Sequence, residues 1–505
     1  MEKTRARDAI SGAAAAALAL GVSELATGLF SGLPSLVEGL GNRVIDNAPD
    51  PVKDWAIATF GTADKPALLA GIFVLTIAIG ALVGVLARGR FWLAVLVFSG
   101  FGLVAALAAS GDPRVSPALA FISAGLAVVT GLATLRMLYD VGGGETTDGS
   151  RRRFIVAATA VVGLAAVTGV TGRVLLERAK RLVAGREEVV LPTPVEALPP
   201  VPEAADFDIE GLTDILIPNE RFYRIDTALS VPRVDLREWS LSVTGMVDRP
   251  YTIDFADLLD MPMVERDITL SCVSNQVGGD LVGNARWLGV PLVEILDRAL
   301  VQSGAEQVVG RSVDDFTVGF PLEAVYDGRE ALVAVGMNGE PLPFEHGFPA
   351  RLVVAGLYGY VSATKWLSAI ELTTWDGFDA YWVPRGWAKE GPIKTQSRID
   401  TPAASTSIAP GRHVVAGVAW APGRGISKVE VRVGDGDWME AELSEPLSDN
   451  AWVQWKLDWD VEAEGRYLIT CRATDGLGEV QTDEIRPPAP DGASGWHTRR
   501  VVVDA

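Results

Sequence analysis

Cysteine and histidine are scarce in this chain of 505 residues, which carries two of the first and three of the second. Two cysteines, Cys272 and Cys471, are too few for a disulfide framework, and their spacing does not signal even a single bridge. There is no Cys cluster to hold an iron–sulfur centre. No histidine precedes His346, so the apolar N-terminal segments cannot bind a haem through imidazole. A long run of Lys and Arg is also missing after residue 190. At a formal net charge of -20 the chain has nothing with which to neutralise a phosphate backbone, which excludes nucleic acid as a partner.

Charge is sparse inside the long apolar runs, nearly all of which lie in the first 180 residues. A chain of this length exceeds what one core usually organises, so several domains are expected, one of them in a membrane. Crossing a bilayer takes about 20 apolar residues in a helix. Five stretches qualify, near 9–31, 66–87, 91–110, 116–138 and 154–175. Lys3, Arg5 and Arg7 precede the first, Arg88 and Arg90 separate the second and third, and Arg151, Arg152 and Arg153 precede the fifth. The positive-inside rule then places the N-terminus in the cytoplasm and everything after the fifth helix outside.

The outer loops carry the complement, Asp46, Asp50, Asp54 and Asp64 after the first helix and Asp112 and Arg114 after the third. The segment from Leu36 to Phe60 is expected along the outer interface. Glu24 lies near the outer end of the first span, where snorkelling to the headgroups is a simpler reading than a proton path. Ser150-Arg151-Arg152-Arg153-Phe154-Ile155 resembles a twin-arginine export signal, which implies a folded, cofactor-loaded cargo; a plain positive-inside anchor is the alternative.

Residues 180–205 include Pro192, Pro194, Pro199, Pro200 and Pro202 and read as a stiff extended spacer. Strand alternation follows at Trp239 to Gly245 and Asp267 to Cys272, with a short helical pattern at Asp254 to Leu259 between them. From about Ser397 the chain reads as some seven short strands, among them Val414 to Ala419, Lys428 to Val433, Val453 to Leu457 and Tyr467 to Ala473. With the turn at Gly434-Asp435-Gly436-Asp437, these predict an immunoglobulin-like β-sandwich. Cys471, inside the last of those strands, reads as a small buried hydrophobe.

Several motifs stand in a telling order. Phe222-Tyr223-Arg224 runs through to Val231-Pro232, and Thr269-Leu270-Ser271-Cys272-Val273-Ser274-Asn275 follows. Then come Met337-Asn338-Gly339-Glu340-Pro341, His346-Gly347-Phe348-Pro349-Ala350-Arg351 and Lys365-Trp366-Leu367. In these the chain from about 206 to its end resembles the sulfite oxidase family of molybdopterin oxidoreductases. Apolar runs and prolines give five transmembrane helices over 1–179 and a linker over 180–205, and the resemblance adds an α+β molybdopterin domain over 206–396 and a dimerisation sandwich over 397–505, a multi-domain architecture.

The same resemblance assigns chemistry. Cys272 becomes the thiolate ligand of a molybdenum-molybdopterin cofactor, since molybdenum in such sites takes a soft sulfur donor; an inert cysteine at a strand end is the bland reading. His346, Arg351 and Lys365 are carried onto pterin or phosphate contacts, with Tyr223 and Asn275 beside them, and arginine suits phosphate because its planar fork grips two oxygens. A surface ion pair is the alternative for Arg351 and a satisfied loop histidine for His346. Arg224 matches an arginine that binds the oxyanion substrate.

The chain also departs from the family. After Cys272 it reads Val273-Ser274-Asn275-Gln276-Val277, where sulfite-oxidising members usually carry a further arginine, and Trp387 aligns with the family's active-site tyrosine. Arg286 is the candidate to replace the missing cation. The expected activity is two-electron oxygen-atom transfer on a small, sulfur-containing substrate, as sulfite oxidation or sulfoxide reduction. An external electron carrier, a cytochrome or a quinone-linked protein, completes the reaction, with membrane lipid and a second copy of the chain as further partners. A metal-free, membrane-tethered binding protein retaining the fold is the competing expectation.

Overall fold

The computed structural model describes residues 2–504 except 31–32, 50–51, 53–54, 57–58, 61–62, 113–114, 143–147, 184 and 405. Asp50, Asp54 and Arg114 therefore lie outside the described residues. The chain forms two units, Met1–Ala184 with Thr227–Arg233, and Gly185–Asp226 with Val234–Ala505.

The first unit is helical: α1 (Glu2–Leu29), α2 (Leu36–Asn47), α3 (Asp64–Leu86), α4 (Phe91–Ala109), α5 (Pro117–Gly142) and α6 (Asp148–Val183). Five of these, all but α2, are long and apolar enough to cross a membrane. Close approach between them uses small residues, as in membrane bundles generally. A Cβ on Gly12 would sit 2.0 Å from the Gly80 carbonyl oxygen, so α1 and α3 touch backbone to backbone. Arg88, just after α3, pairs with Asp8 of α1 at 3.4 Å, and the Tyr139 hydroxyl of α5 donates to the Gly84 carbonyl. The start of α1 and the ends of α3 and α5 thus share one end of the bundle. At another point Glu24, buried, accepts from Ser35 at 2.7 Å and pairs with Arg173 at 3.2 Å. Glu24 is therefore tied into the bundle and does not snorkel. Phe154 of the triple-arginine motif is buried against Leu18 and Leu138, a packing role that itself calls for an aromatic there.

The second unit begins with a correction. Residues 185–226 belong to it, so the proline-rich segment is no free spacer. The Val195 amide donates to the Met263 carbonyl, the Glu265 amide to the Glu196 carbonyl, and the Leu198 amide to the Glu265 carboxylate. Prolines fix an extended backbone, and the remaining amides find partners on the neighbouring strand edge.

That edge is β3 (Val264–Ser271), which pairs antiparallel with β4 (Val282–Pro291); β4 continues to β7 (Ala331–Met337), flanked by β8 (Glu340–Pro341) and β9 (Arg351–Val354). A second sheet has the order β2-β1-β10-β5-β6, comprising β1 (Ser240–Gly245), β2 (Tyr251–Asp254), β5 (Gln307–Ser312), β6 (Thr317–Pro321) and β10 (Leu367–Thr373). Only β1 and β10 run parallel within it. The helix α7 (Phe255–Leu259) starts at a capping box between Asp254 and Asp257, which satisfies two amides that would otherwise lack partners. In α8 (Leu292–Ala299), Leu292, Ile295, Leu296 and Ala299 fall on one face and are buried. These elements enclose one core in an α+β domain.

Among the described residues from Gln396 onward the regular elements are strands. One sheet has the order β11-β13-β17-β16, the other β12-β19-β18-β14-β15. Their members are β11 (Gln396–Thr401), β12 (Ser407–Ile408), β13 (Gly411–Trp420), β14 (Ile426–Val433), β15 (Met439–Glu440), β16 (Glu442–Leu443), β17 (Val453–Val461), β18 (Gly465–Asp475) and β19 (His497–Val503). Ile399, Val415 and Trp455 of the first sheet and Val431, Cys471 and Val501 of the second meet in a separate core. Cys471 is buried and free, as expected of a small hydrophobe.

Candidate active site

Residues 272–281 form the loop that joins β3 to β4. Cys272 opens it. The Cys272 amide donates to the Leu281 carbonyl at 2.9 Å, and the Leu281 amide donates to the Asn275 side-chain oxygen at 2.9 Å. Asn275 thus ties the loop closed through its oxygen, a bracing role that its candidacy as a cofactor contact did not include. Cys272 is free and 8% exposed, with its Sγ 2.9 Å from the Ser274 hydroxyl. Burial pushes its thiol up from the ordinary range and Ser274 opposes that rise. A thiolate here calls for a nearby positive charge, which a bound metal supplies.

Several groups gather around this cysteine. Burial, then the Cys272 charge, pushes the Tyr223 phenol upward, while Arg351 draws it down. Phe222 stacks on Tyr223 at 5.2 Å and meets Trp287 and His346 edge-on at 5.9 and 5.5 Å. Gly283 makes room for this, since a Cβ there would lie 2.8 Å from the Phe222 ring. Tyr358, just before α9 (Gly359–Ser362), is pushed up to about 12 chiefly by burial, with Cys272 among the lesser causes.

Arg351 is the most informative cation. Its side chain is on average enclosed, the residue being 5% exposed, yet no carboxylate pairs with it among the described residues. Nη1 donates to the His346 carbonyl at 3.1 Å, Nε to the Leu352 carbonyl at 3.4 Å, and the guanidinium lies 5.0 Å from the Trp287 ring centre. Burial lowers its pKa to about 10. A buried ion without a counter-charge costs several kcal/mol, a cost that an anion bound beside it would offset.

His346 is buried, and its Nε2 faces the Asn219 carbonyl at 2.9 Å. Because a carbonyl only accepts, Nε2 carries the proton and Nδ1 is the acceptor. Burial depresses this ring to about 4, with Arg351 and Lys365 adding to the fall. Gly347 follows at φ 109, and a Cβ on it would come within 2.9 Å of Lys365 Cβ and 3.2 Å of Arg351 Cβ. Only glycine lets this loop press against both cations. Lys365 Nζ donates to Asp226 at 3.0 Å and to the Glu345 carbonyl at 3.1 Å, and burial lowers it to about 8.

The same carboxylate oxygen of Asp226 accepts from Arg224 Nε at 2.8 Å. Arg224 is 39% exposed in its side chain while that of Asp226 is 3% exposed. Arg224 therefore reaches the group's outer edge already neutralised. Asp226 and Asn219 were not singled out from sequence. Asn219 receives the Asn338 amide at 2.9 Å besides accepting from His346, and Asn338 sits with Gly339 at positive φ in the hairpin between β7 and β8. An Asn-Gly pair is a turn signal, but nothing local announces that its amide reaches back over 119 residues.

Arg286 does not join the group, and its expected place as a substitute cation is corrected. It stands opposite Asp267 in the β3–β4 ladder and donates to both carboxylate oxygens, each at 2.9 Å, with Nη1 on the Pro199 carbonyl at 2.7 Å. Cross-strand pairing of opposite charges explains it. Trp387 packs 5.9 Å from the Tyr360 ring and 6.2 Å from that of Trp382.

The donor set fits a molybdenum-pterin: a soft sulfur at a loop end, a buried unpaired guanidinium and a partly balanced lysine for phosphate or pterin, and a neutral histidine between them. Comparison with known proteins agrees. The family model described as "Oxidoreductase molybdopterin binding domain" matches residues 228–382. The uncharacterised oxidoreductase YuiH of Bacillus subtilis is 34% identical over 157 residues, covering 31% of this chain and 76% of that protein. Mitochondrial sulfite oxidase of Rattus norvegicus is 29% identical over 344 residues, covering 59% of this chain. The chain spans 61% of that relative's length. Among solved structures, the sulfane dehydrogenase SoxCD from Paracoccus pantotrophus superposes with a TM-score of 0.50 at 23% identity, covering 57% of this chain and 84% of that one, which speaks for the fold.

Proposed function

This chain belongs to the sulfite oxidase family of molybdopterin-dependent oxidoreductases, and on that premise we propose that it is a membrane-anchored enzyme, facing outward, that exchanges an oxygen atom with a small uncharged sulfur compound such as a sulfoxide. When bound, the molybdenum-pterin supplies two-electron oxygen-atom transfer. The chain's residues do the rest. Cys272 holds the metal through its sulfur, and Arg351, with Lys365 and His346 beside it, holds the pterin and its phosphate. Tyr223 and Tyr358 wall the approach and exclude water.

The observation that carries the choice of substrate is the commitment of the cations. Arg224 and Lys365 share Asp226, and Arg286 is clamped on Asp267. Arg351 is assigned to the cofactor. Sulfite carries close to two negative charges, and each charge-assisted hydrogen bond withheld from it costs about 1.5–3 kcal/mol. A neutral sulfoxide needs none. Sulfite oxidation is the second reading, and the likeness to rat sulfite oxidase favours it.

The setting follows from the helices. Five long apolar helices with their arginine clusters on one side support an N-terminus in the cytoplasm and the second unit outside, delivered through the twin-arginine motif at Ser150–Ile155. Electrons come from an external carrier, a cytochrome or a quinone-linked protein. The paired terminal sheets are an immunoglobulin-like module through which two copies associate.

The test uses the full-length, molybdenum-loaded protein in detergent. Methionine sulfoxide with an artificial electron donor is expected to turn over at least about tenfold more efficiently than sulfite with an artificial acceptor, a difference of about 1.4 kcal/mol. A preference for sulfite overturns the substrate assignment.

A further inference from the structure

The loop that carries Cys272 is gripped from outside its own domain. Arg398, in β11 of the terminal sheets, is buried, and each of its nitrogens has a separate task. Nε donates to Asp400 at 2.6 Å, Nη2 to the Thr213 hydroxyl at 2.8 Å, and Nη1 to the Gly279 carbonyl at 2.8 Å. Asp400 in turn accepts from the Thr213 amide at 3.2 Å. The guanidinium is thus locked in direction before it meets the loop.

A second group comes from the facing sheet. His497, the first residue of β19, accepts the Ile399 amide on Nδ1 at 2.9 Å, which fixes the plane of its ring. That ring lies close against Gly278: a Cβ there would come 2.3 Å from Cδ2 and 2.4 Å from Nε2. Gly278 has φ 76 and Gly279 touches the Asn275 side chain, so the turn from Gln276 to Gly279 is pinned on both sides. The Gly279 amide closes it on the Gln276 carbonyl at 2.9 Å.

We propose that Arg398 and His497 are positioning residues for the metal-ligand loop: the terminal sheets hold the 276–279 turn, and through the Asn275 brace they set the direction in which Cys272 presents its sulfur. This rests on Cys272 being the ligand and does not depend on the substrate. Residues that orient a ligand from behind commonly tune a metal site 10–100-fold. Arg398 suits the task because its fork makes three bonds in fixed directions, which an ammonium on a flexible stem cannot do.

The full-length chain, produced without molybdenum, is treated with iodoacetamide, and labelling of each cysteine is followed by mass spectrometry. In Arg398→Lys and in His497→Ala, Cys272 is expected to label about tenfold faster than in the parent, with Cys471 unchanged as an internal control. In the molybdenum-loaded proteins the sulfur-to-metal charge-transfer absorption shifts while metal content is kept. Unchanged labelling and an unchanged band in folded variants overturn the proposal. Should Arg398→Lys not fold, Thr213→Val, which removes one anchor of the guanidinium, decides by the same readings. A Cys272→Ser protein that keeps both its metal and the parent's band points instead to failure of the Cys272 assignment.

Discussion

Lys365 and Arg224 meet on one oxygen of Asp226, at 3.0 and 2.8 Å, so a single enclosed carboxylate cancels charge that a substrate anion would otherwise use. Asp226→Asn frees both cations at nearly constant shape. Its KM for sulfite should fall about three- to tenfold at fixed ionic strength, while kcat/KM for a neutral sulfoxide stays within about twofold. Steady-state kinetics with both substrates on the loaded enzyme checks this, and equal changes for both would detach Asp226 from substrate charge.

Arg351 predicts effects of opposite sign in the empty and loaded protein. Without cofactor its buried charge lacks a carboxylate, so Arg351→Met should raise stability of the metal-free chain by about 1–3 kcal/mol in denaturant titration. With molybdenum supplied, the same variant should retain less than about a tenth of the parent's metal, read by elemental analysis.

Arg286 should behave as a structural residue. Removing it leaves Asp267 buried and unpaired, which costs about 3–5 kcal/mol. Arg286→Met is expected to melt early, Arg286→Met with Asp267→Leu to recover most of the loss, and neither to change KM beyond about twofold.

Two histidines set an acid limit. His346 and His497 fall to about 4 in the folded chain, each chiefly by burial, from an ordinary value of 6.5. A depressed folded value means that the unfolded chain binds the extra proton first. Their stabilisation is therefore complete above pH 6.5 and is lost as the pH falls toward 4. Between pH 7 and pH 5 each ring should cost about 2 kcal/mol, and His346→Gln should flatten the decline seen by tryptophan fluorescence in denaturant.

The parts of the fold that one segment determines were legible in the sequence. The long helices follow from apolar length, and β3, ending at Ser271 one residue before Cys272, follows from alternation. Those set by pairing were not. Arg286 lies fourteen residues beyond Cys272 in a conspicuous motif, yet strand register turns it onto Asp267 instead of toward the metal. Asp226 finds Lys365 across 139 residues, and Arg398 finds Gly279 across 119. Neither contact leaves a local pattern. The proline-rich segment misled because extended backbone looks the same free or docked, and only the partner strand's open amides decide between them.

X-ray absorption at the molybdenum edge reads the proposed bond between Cys272 and molybdenum directly. The parent and Cys471→Ser should show the same number of sulfur neighbours at bonding distance, and Cys272→Ser one fewer. An unchanged sulfur count in Cys272→Ser that still holds its metal would contradict it.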